Sequence, residues 1–202
     1  MTPVRLAGVI LAGGKSRRMG QDKATLPWRG STMLEHSVTM LKSACPRVYV
    51  VTADGRAVPE TGATIVSDTL SDYGPLHGLA RGLRAAYDDG AHDGGAHDGG
   101  AQWAFVCAVD MPFLEPSLID ALVTAIEPSI DIVAAHDGTF PQPLAAIYKL
   151  TLAESAENAV SSGMRSLNNF VTQHQHKYVM VPGAESQLRN LNTPDDYRDA
   201  RS

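Results

Sequence analysis

A chain of 202 residues, 44% of them hydrophobic, can build one substantial core and falls short of two ordinary domains, so a single domain over residues 1–202 is expected. The net charge of −5 argues against a general binder of nucleic acid or of an anionic membrane, and no run of about 18 apolar residues offers a transmembrane helix. Cys45 and Cys107 form no CxxC pair and the first residues lack a secretory-signal pattern, so a cytoplasmic protein with a buried Cys107 thiol is expected.

The apolar run Leu6 to Leu11 predicts a strand buried on both faces, ended by the loop signal Ala12-Gly13-Gly14. Helical spacing follows over Thr32 to Leu41, then strands at Val48 to Val51 and Thr64 to Val66. Leu79, Leu83 and Ala86 place one side of a helix over Leu76 to Tyr87. The tandem repeat Gly90-Ala-His-Asp-Gly and Gly95-Ala-His-Asp-Gly reads as a low-complexity loop insertion over residues 88–101, because two polar copies cannot bury a core. Trp103 to Val109 predicts another buried strand, closed by Asp110-Met111-Pro112, and Pro116 opens a helix reaching Ile126. Strands at Ile130 to Ala135 and Pro143 to Tyr148 flank the turn Asp137-Gly138. Helices over Leu152 to Val160 and Ser166 to Thr172, a strand at Tyr178 to Val181 and a helix from Pro194 complete the chain.

Alternating strands and helices predict a three-layer α/β domain with a mainly parallel, mixed sheet, in which ligands bind beyond the carboxyl ends of the strands. Three polar, glycine-bearing segments follow strands at that edge: Ala12 to Lys23, Asp68 to Gly78 and Asp110 to Phe113. In the first, Gly13 and Gly14 allow backbone N–H groups to approach a phosphate, while Lys15, Arg17, Arg18 and Lys23 concentrate positive charge against the single acid Asp22. Such a patch on an acidic protein suits a small anionic ligand. The loop is neither Walker A nor GxGxxG. Asp110, ending a buried strand before Pro112, suits Mg²⁺, with turn capping as the alternative reading. Asp68, taken by itself, reads as a capping residue. His77 reads as a loop histidine or a ligand contact, and His174 and His176 read as surface residues. Asn192-Thr193-Pro194-Asp195-Asp196 is a helix start with Thr193 as cap.

The stretch LAGGKSRRMGQDK resembles the signature of the molybdenum cofactor guanylyltransferases, within the Rossmann-like nucleotidyltransferases. Agreement continues in order through Ser67-Asp68, Asp72 to Leu79, Cys107 to Pro112, Gln142-Pro143-Leu144, Gly163 to Leu167 and Asn190 to Asp196, nearly the whole chain. The resemblance implies a Rossmann-like nucleotidyltransferase fold and GMP transfer from GTP to the terminal phosphate of molybdopterin, with Mg²⁺ as cofactor and pyrophosphate as leaving group. It assigns GTP binding to Leu11, Ala12, Gly13, Gly14, Lys23, Asp68 and Asp110, catalysis to Arg18, Lys23 and Asp110, and the metal to Asp110. By the same resemblance Asp68 reads the guanine base, and Asn190, Asn192 and Arg165 contact the acceptor. Proteins that deliver molybdopterin or receive the product are implied as partners. Two positions depart from the family pattern: Thr52 stands where asparagine is usual, and His77 where a small residue is usual. Cytidylyl relatives carry Leu-Ala-Ala-Gly where this chain has Leu11-Ala12-Gly13-Gly14. Open alternatives are cytidylyl transfer to molybdopterin, guanylyl transfer to another phosphorylated acceptor, and a non-catalytic nucleotide-binding relative.

Overall fold

The computed structural model describes residues 4–13, 22–69, 74–92 and 101–201. Seven strands form the main sheet: β1 (Leu6–Leu11), β4 (Arg47–Ala53), β5 (Thr64–Asp68), β6 (Trp103–Ala108), β7 (Ile132–His136), β8 (Pro141–Lys149) and β9 (His176–Met180). Two short strands, β2 (Pro27–Trp28) and β3 (Ser31–Thr32), pair separately as a hairpin. The helices are α1 (Met33–Lys42), α2 (Pro75–His92), α3 (Pro116–Thr124), α4 (Ala153–Ser161), α5 (Leu167–Thr172) and α6 (Pro194–Asp199).

The strand order is β5-β4-β1-β6-β8-β7-β9, and only β8 runs antiparallel to its neighbours, as a mainly parallel mixed sheet requires. Every residue of β1 is buried. Its side chains alternate between two cores: Leu6 and Ile10 pack with α1 and α3, while Ala7, Val9 and Leu11 pack with α2, α4 and α5. That double burial is why the strand reads as a continuous apolar run rather than an alternating one. Parallel β4 and β6 flank β1 on opposite sides, so a crevice opens where the connections diverge, at the carboxyl ends of these strands.

Two features differ from the sequence reading. Helix α2 continues to His92, so residues 88–92 of the expected loop insertion are helical; the second copy of the repeat lies outside the described residues. The β2–β3 hairpin was not expected. Its turn holds Arg29 at φ 46° and Gly30 at φ 87°, the two positive values of a type I′ turn, and Arg29 lacks the usual Asn or Asp signal. Among the described residues no helix is long and apolar enough to cross a membrane.

Candidate active site

The three segments expected at the sheet edge meet in a cleft of about 320 Å³, lined by Leu11, Ala12, Gly13, Asp22, Lys23, Asp68, Asp110 and Asn190 among others. Backbone bonds set its floor. Ala12 N–H donates to Val51 (2.8 Å) and Val109 N–H to Leu11 (3.1 Å), which carries the sheet's pairing past the end of β1.

Lys23 opens a 3-10 turn capped by Asp22, whose side chain accepts from Ala24 N–H at 2.9 Å. This cap directs the lysine across the crevice, where Nζ donates to Asp110 Oδ2 at 2.8 Å and to Asn192 Oδ1 at 3.2 Å. Side-chain exposures of 14% for Lys23 and 19% for Asp110 give this pair more weight than a surface ion pair. Asp110 also anchors the C-terminal segment: its carbonyl accepts from Leu191 N–H at 2.9 Å, which sets Asn190 and Asn192 beside it. The Asn190 side-chain oxygen is buried without a hydrogen-bond partner among the described residues.

Asp68 ends β5 on the face of Val66 and lies only 6% exposed. Its Oδ1 is 2.5 Å from His77 Nδ1, and its Oδ2 would lie 3.8 Å from a Cβ added to Gly13. His77 is therefore not a loop residue. It is the third residue of α2 and 7% exposed, so the expectation of an exposed loop histidine is corrected. Gly74, just before the helix, has φ 83°, a left-handed conformation that favours glycine, and an added Cβ would come into ordinary contact with the Arg165 carbonyl at 3.4 Å.

Each described carboxylate of the cleft thus has a partner: Asp110 with Lys23, Asp68 with His77, and Asp22 with Arg56 at 2.6 Å. Arg56 also donates to the Ala12 carbonyl (3.1 Å), clasping the two ends of the segment between Ala12 and Asp22. Sequence reasoning missed Arg56, since a lone arginine in a polar loop carries no local signal. It also missed His36, whose Nε2 is 3.0 Å from the Pro112 carbonyl and braces the turn after Asp110; burial holds its pKa below the ordinary histidine value. Trp28 packs edge-on against Phe113, tying the unexpected hairpin to the same turn.

Of the expected site residues, Leu11, Ala12, Gly13, Lys23, Asp68 and Asp110 come together, while Gly14 and Arg18 lie outside the described residues. Thr52 is 2% exposed, and strand alternation turns it toward the face of Val48 and Val50, away from Asp68. His174 and His176 are half-buried rather than on the surface; His174 bonds Ser155 and the Phe170 carbonyl, locking α5 onto α4. Cys45 and Cys107 are both free and buried. No cluster of three or more His, Cys, Asp or Glu suited to a metal occurs among the described residues.

The family model for the MobA-like NTP transferase domain matches residues 8–178. A probable molybdenum cofactor guanylyltransferase of Mycobacterium avium strain 104 is 42% identical over 198 residues, spanning 96% of this chain and 94% of that protein. Among solved structures, molybdopterin-guanine dinucleotide biosynthesis protein A of Archaeoglobus fulgidus superposes with a TM-score of 0.72 at 24% identity, over 96% of each chain. A Mycobacterium tuberculosis H37Rv protein solved in complex with manganese superposes at 0.64 with 18% identity, over 97% of each chain.

Proposed function

The chain belongs to the MobA-like NTP transferase family and is a nucleotidyltransferase, and we propose that it transfers GMP from GTP to the terminal phosphate of molybdopterin. A phosphate oxygen of the acceptor forms a bond to the α-phosphorus of GTP, the bond from that phosphorus to the bridging oxygen breaks, and pyrophosphate leaves. The acceptor phosphate is ionised near neutral pH, so the step needs alignment and charge neutralisation rather than a general base. The observation that carries the reading is the Lys23–Asp110 pair at 2.8 Å, at the sheet edge beside Gly13 and Asp68.

Lys23 supplies a charge already steered into the cleft by Asp110 and Asn192, ready to meet triphosphate oxygens. Arg18 and the Gly13 and Gly14 amides belong to the same proposal as phosphate ligands, Leu11 and Ala12 as backbone walls for the nucleotide, and Asp68 as the reader of guanine. Lys23 engages Oδ2 of Asp110 while no hydrogen bond among the described residues occupies Oδ1. One available carboxylate without a dedicated cage fits Mg²⁺, which often binds through one or two carboxylates, phosphate oxygens and water. Held by Asp110, Mg²⁺ would neutralise charge on the α-phosphate and the leaving pyrophosphate. Asn190, with its buried oxygen, and Asn192 and Arg165 are proposed to face the acceptor. We place the protein in the cytoplasm, with proteins that deliver molybdopterin or receive the product as its partners.

Radiolabelled GTP and CTP, each offered with purified molybdopterin with and without Mg²⁺, test the reading. Product from GTP alone, dependent on Mg²⁺, is expected. Product from CTP alone would replace it with cytidylyl transfer, and GTP binding with no product from either nucleotide would reduce the protein to a nucleotide-binding module.

A further inference from the structure

We propose that His77 is a positioning residue for base selection: its Nδ1–H donates to Oδ1 of Asp68 and holds the carboxylate with Oδ2 turned to Gly13 and the cleft. The inference rests on the reading of Asp68 as the guanine ligand and adds what fixes its specificity.

A carboxylate at the end of a strand can ordinarily turn about its Cβ–Cγ bond. Asp68 cannot do so without breaking a 2.5 Å contact in which both side chains are more than nine-tenths buried. Burial makes that break costly, because water does not replace the lost partner. The anchor itself is rigid. Leu76, Leu79 and Leu83 of α2 are fully buried against β1 and its neighbours, so the first turn of the helix has a fixed position over the sheet. The bond comes from Nδ1, the ring nitrogen nearer the backbone, so little side-chain length separates Asp68 from the helix. β5 and α2 thus set the carboxylate's direction together.

Direction matters because of what a guanine edge offers. N1–H and the exocyclic amino group are parallel donors, and a carboxylate meets both only when its two oxygens lie in the base plane. Each carboxylate oxygen has two lone-pair sites, so Oδ1 can accept from His77 and from a base donor together. Adenine presents an acceptor at N1 and is repelled. Hypoxanthine keeps N1–H and lacks the amino group, so the preference for GTP over ITP reads whether both oxygens are aligned.

Binding of GTP and of ITP, each with Mg²⁺, is measured calorimetrically for the wild type, Asp68→Ala, His77→Asn and His77→Gln, with melting curves to establish folding. Asparagine keeps an amide nitrogen near the Nδ1 position; glutamine moves it to the Nε2 position. The wild type is expected to favour GTP by about tenfold or more, the worth of one hydrogen bond to a charged group. His77→Asn should keep that ratio, His77→Gln should bring it to within about threefold of unity, and Asp68→Ala should abolish it. A merely structural histidine would weaken both nucleotides alike and leave the ratio unchanged. Full preference in His77→Gln with a collapsed ratio in Asp68→Ala would overturn the positioning role and keep Asp68 as the base ligand. A wild-type ratio in Asp68→Ala would overturn both. Loss of the ratio in a folded His77→Asn would refute the Nδ1 donor as the holding group.

Discussion

Replacing Gly13 by alanine separates the demands of the fold from those of the nucleotide. A Cβ there would meet Asp68 Oδ2 at 3.8 Å, Ala53 N at 3.9 Å and Val51 O at 4.0 Å, all ordinary van der Waals contacts. Gly13 is also not among the glycines with positive φ. The folded backbone therefore accepts alanine, and the loss of freedom in the unfolded chain stabilises by about 0.4–1 kcal/mol. For a chain of this size that raises Tm by roughly 1–4 °C. The ligand experiences the opposite effect, because the new methyl enters the cleft beside Asp68, where guanine is proposed to dock. Overpacking by one methyl costs about 1–3 kcal/mol, so GTP affinity should fall about 5- to 150-fold, and CTP, with its smaller ring, should lose less. Isothermal titration of both nucleotides alongside thermal melting reads the two effects independently. GTP affinity within twofold of wild type in a folded Gly13→Ala protein would refute the placement of the base against residue 13. A Tm fallen by several degrees would refute the claim that the backbone tolerates a side chain there.

Further expectations follow from other contacts. Asp110→Asn keeps shape and an oxygen for Lys23 but removes the charge; turnover should drop by about 10²-fold or more with Tm nearly unchanged, and wild-type rates across a Mg²⁺ titration would contradict the metal assignment. Gly82→Ala would put a Cβ 2.4 Å from Val9 Cγ1 and 3.2 Å from Val51 Cγ2, forcing α2 off the sheet. Strain of about 1–3 kcal/mol should outweigh the gain of roughly 1 kcal/mol in helix propensity, and a urea midpoint at or above wild type would refute that packing. Hydrogen bonding to Arg84 lowers the Glu157 pKa below 4.5, so its stabilisation is present above that value and lost as pH falls through the depressed one. Glu157→Gln should then flatten the acid limb of a stability–pH profile, and an unchanged limb would show the pair to be inert.

What was legible in the chain, and what was not, follows from the range of the forces involved. β1 could be read because its double burial demands six apolar residues in a row, and α3 because Pro116 stands at a position where no N–H is needed. Pro75 carries the same signal for α2, yet Gly74-Pro75 reads equally well as a turn. The helix expected from Leu76 already contains His77, yet the flanking Gly74-Pro75 and Gly78 made that histidine read as a loop residue or ligand contact, so its place on the helix face that meets Asp68 was missed. The hairpin at residues 27–32 was hidden because two-residue strands have no period to detect. Polar partnerships were the least legible, since Lys23 lies 87 residues from Asp110 and 169 from Asn192, and only sheet topology brings them together.

The C-terminal asparagines show how far this goes. From sequence, the Asn192-Thr193-Pro194 stretch offered two competing explanations, a helix cap or a ligand contact. In the structure the cap and the site use different atoms. Asp196 accepts from the backbone N–H groups of Asn192 and Thr193, and the Thr193 side chain accepts from Asp196 N–H. The Asn192 side chain is thereby left out of the cap, and its Oδ1 accepts from Lys23. Leu191 N–H meanwhile binds the Asp110 carbonyl. The capping box is thus the device that fixes a segment 80 residues downstream of Asp110 against the cleft, so a motif fully explained by helix chemistry also completes the site.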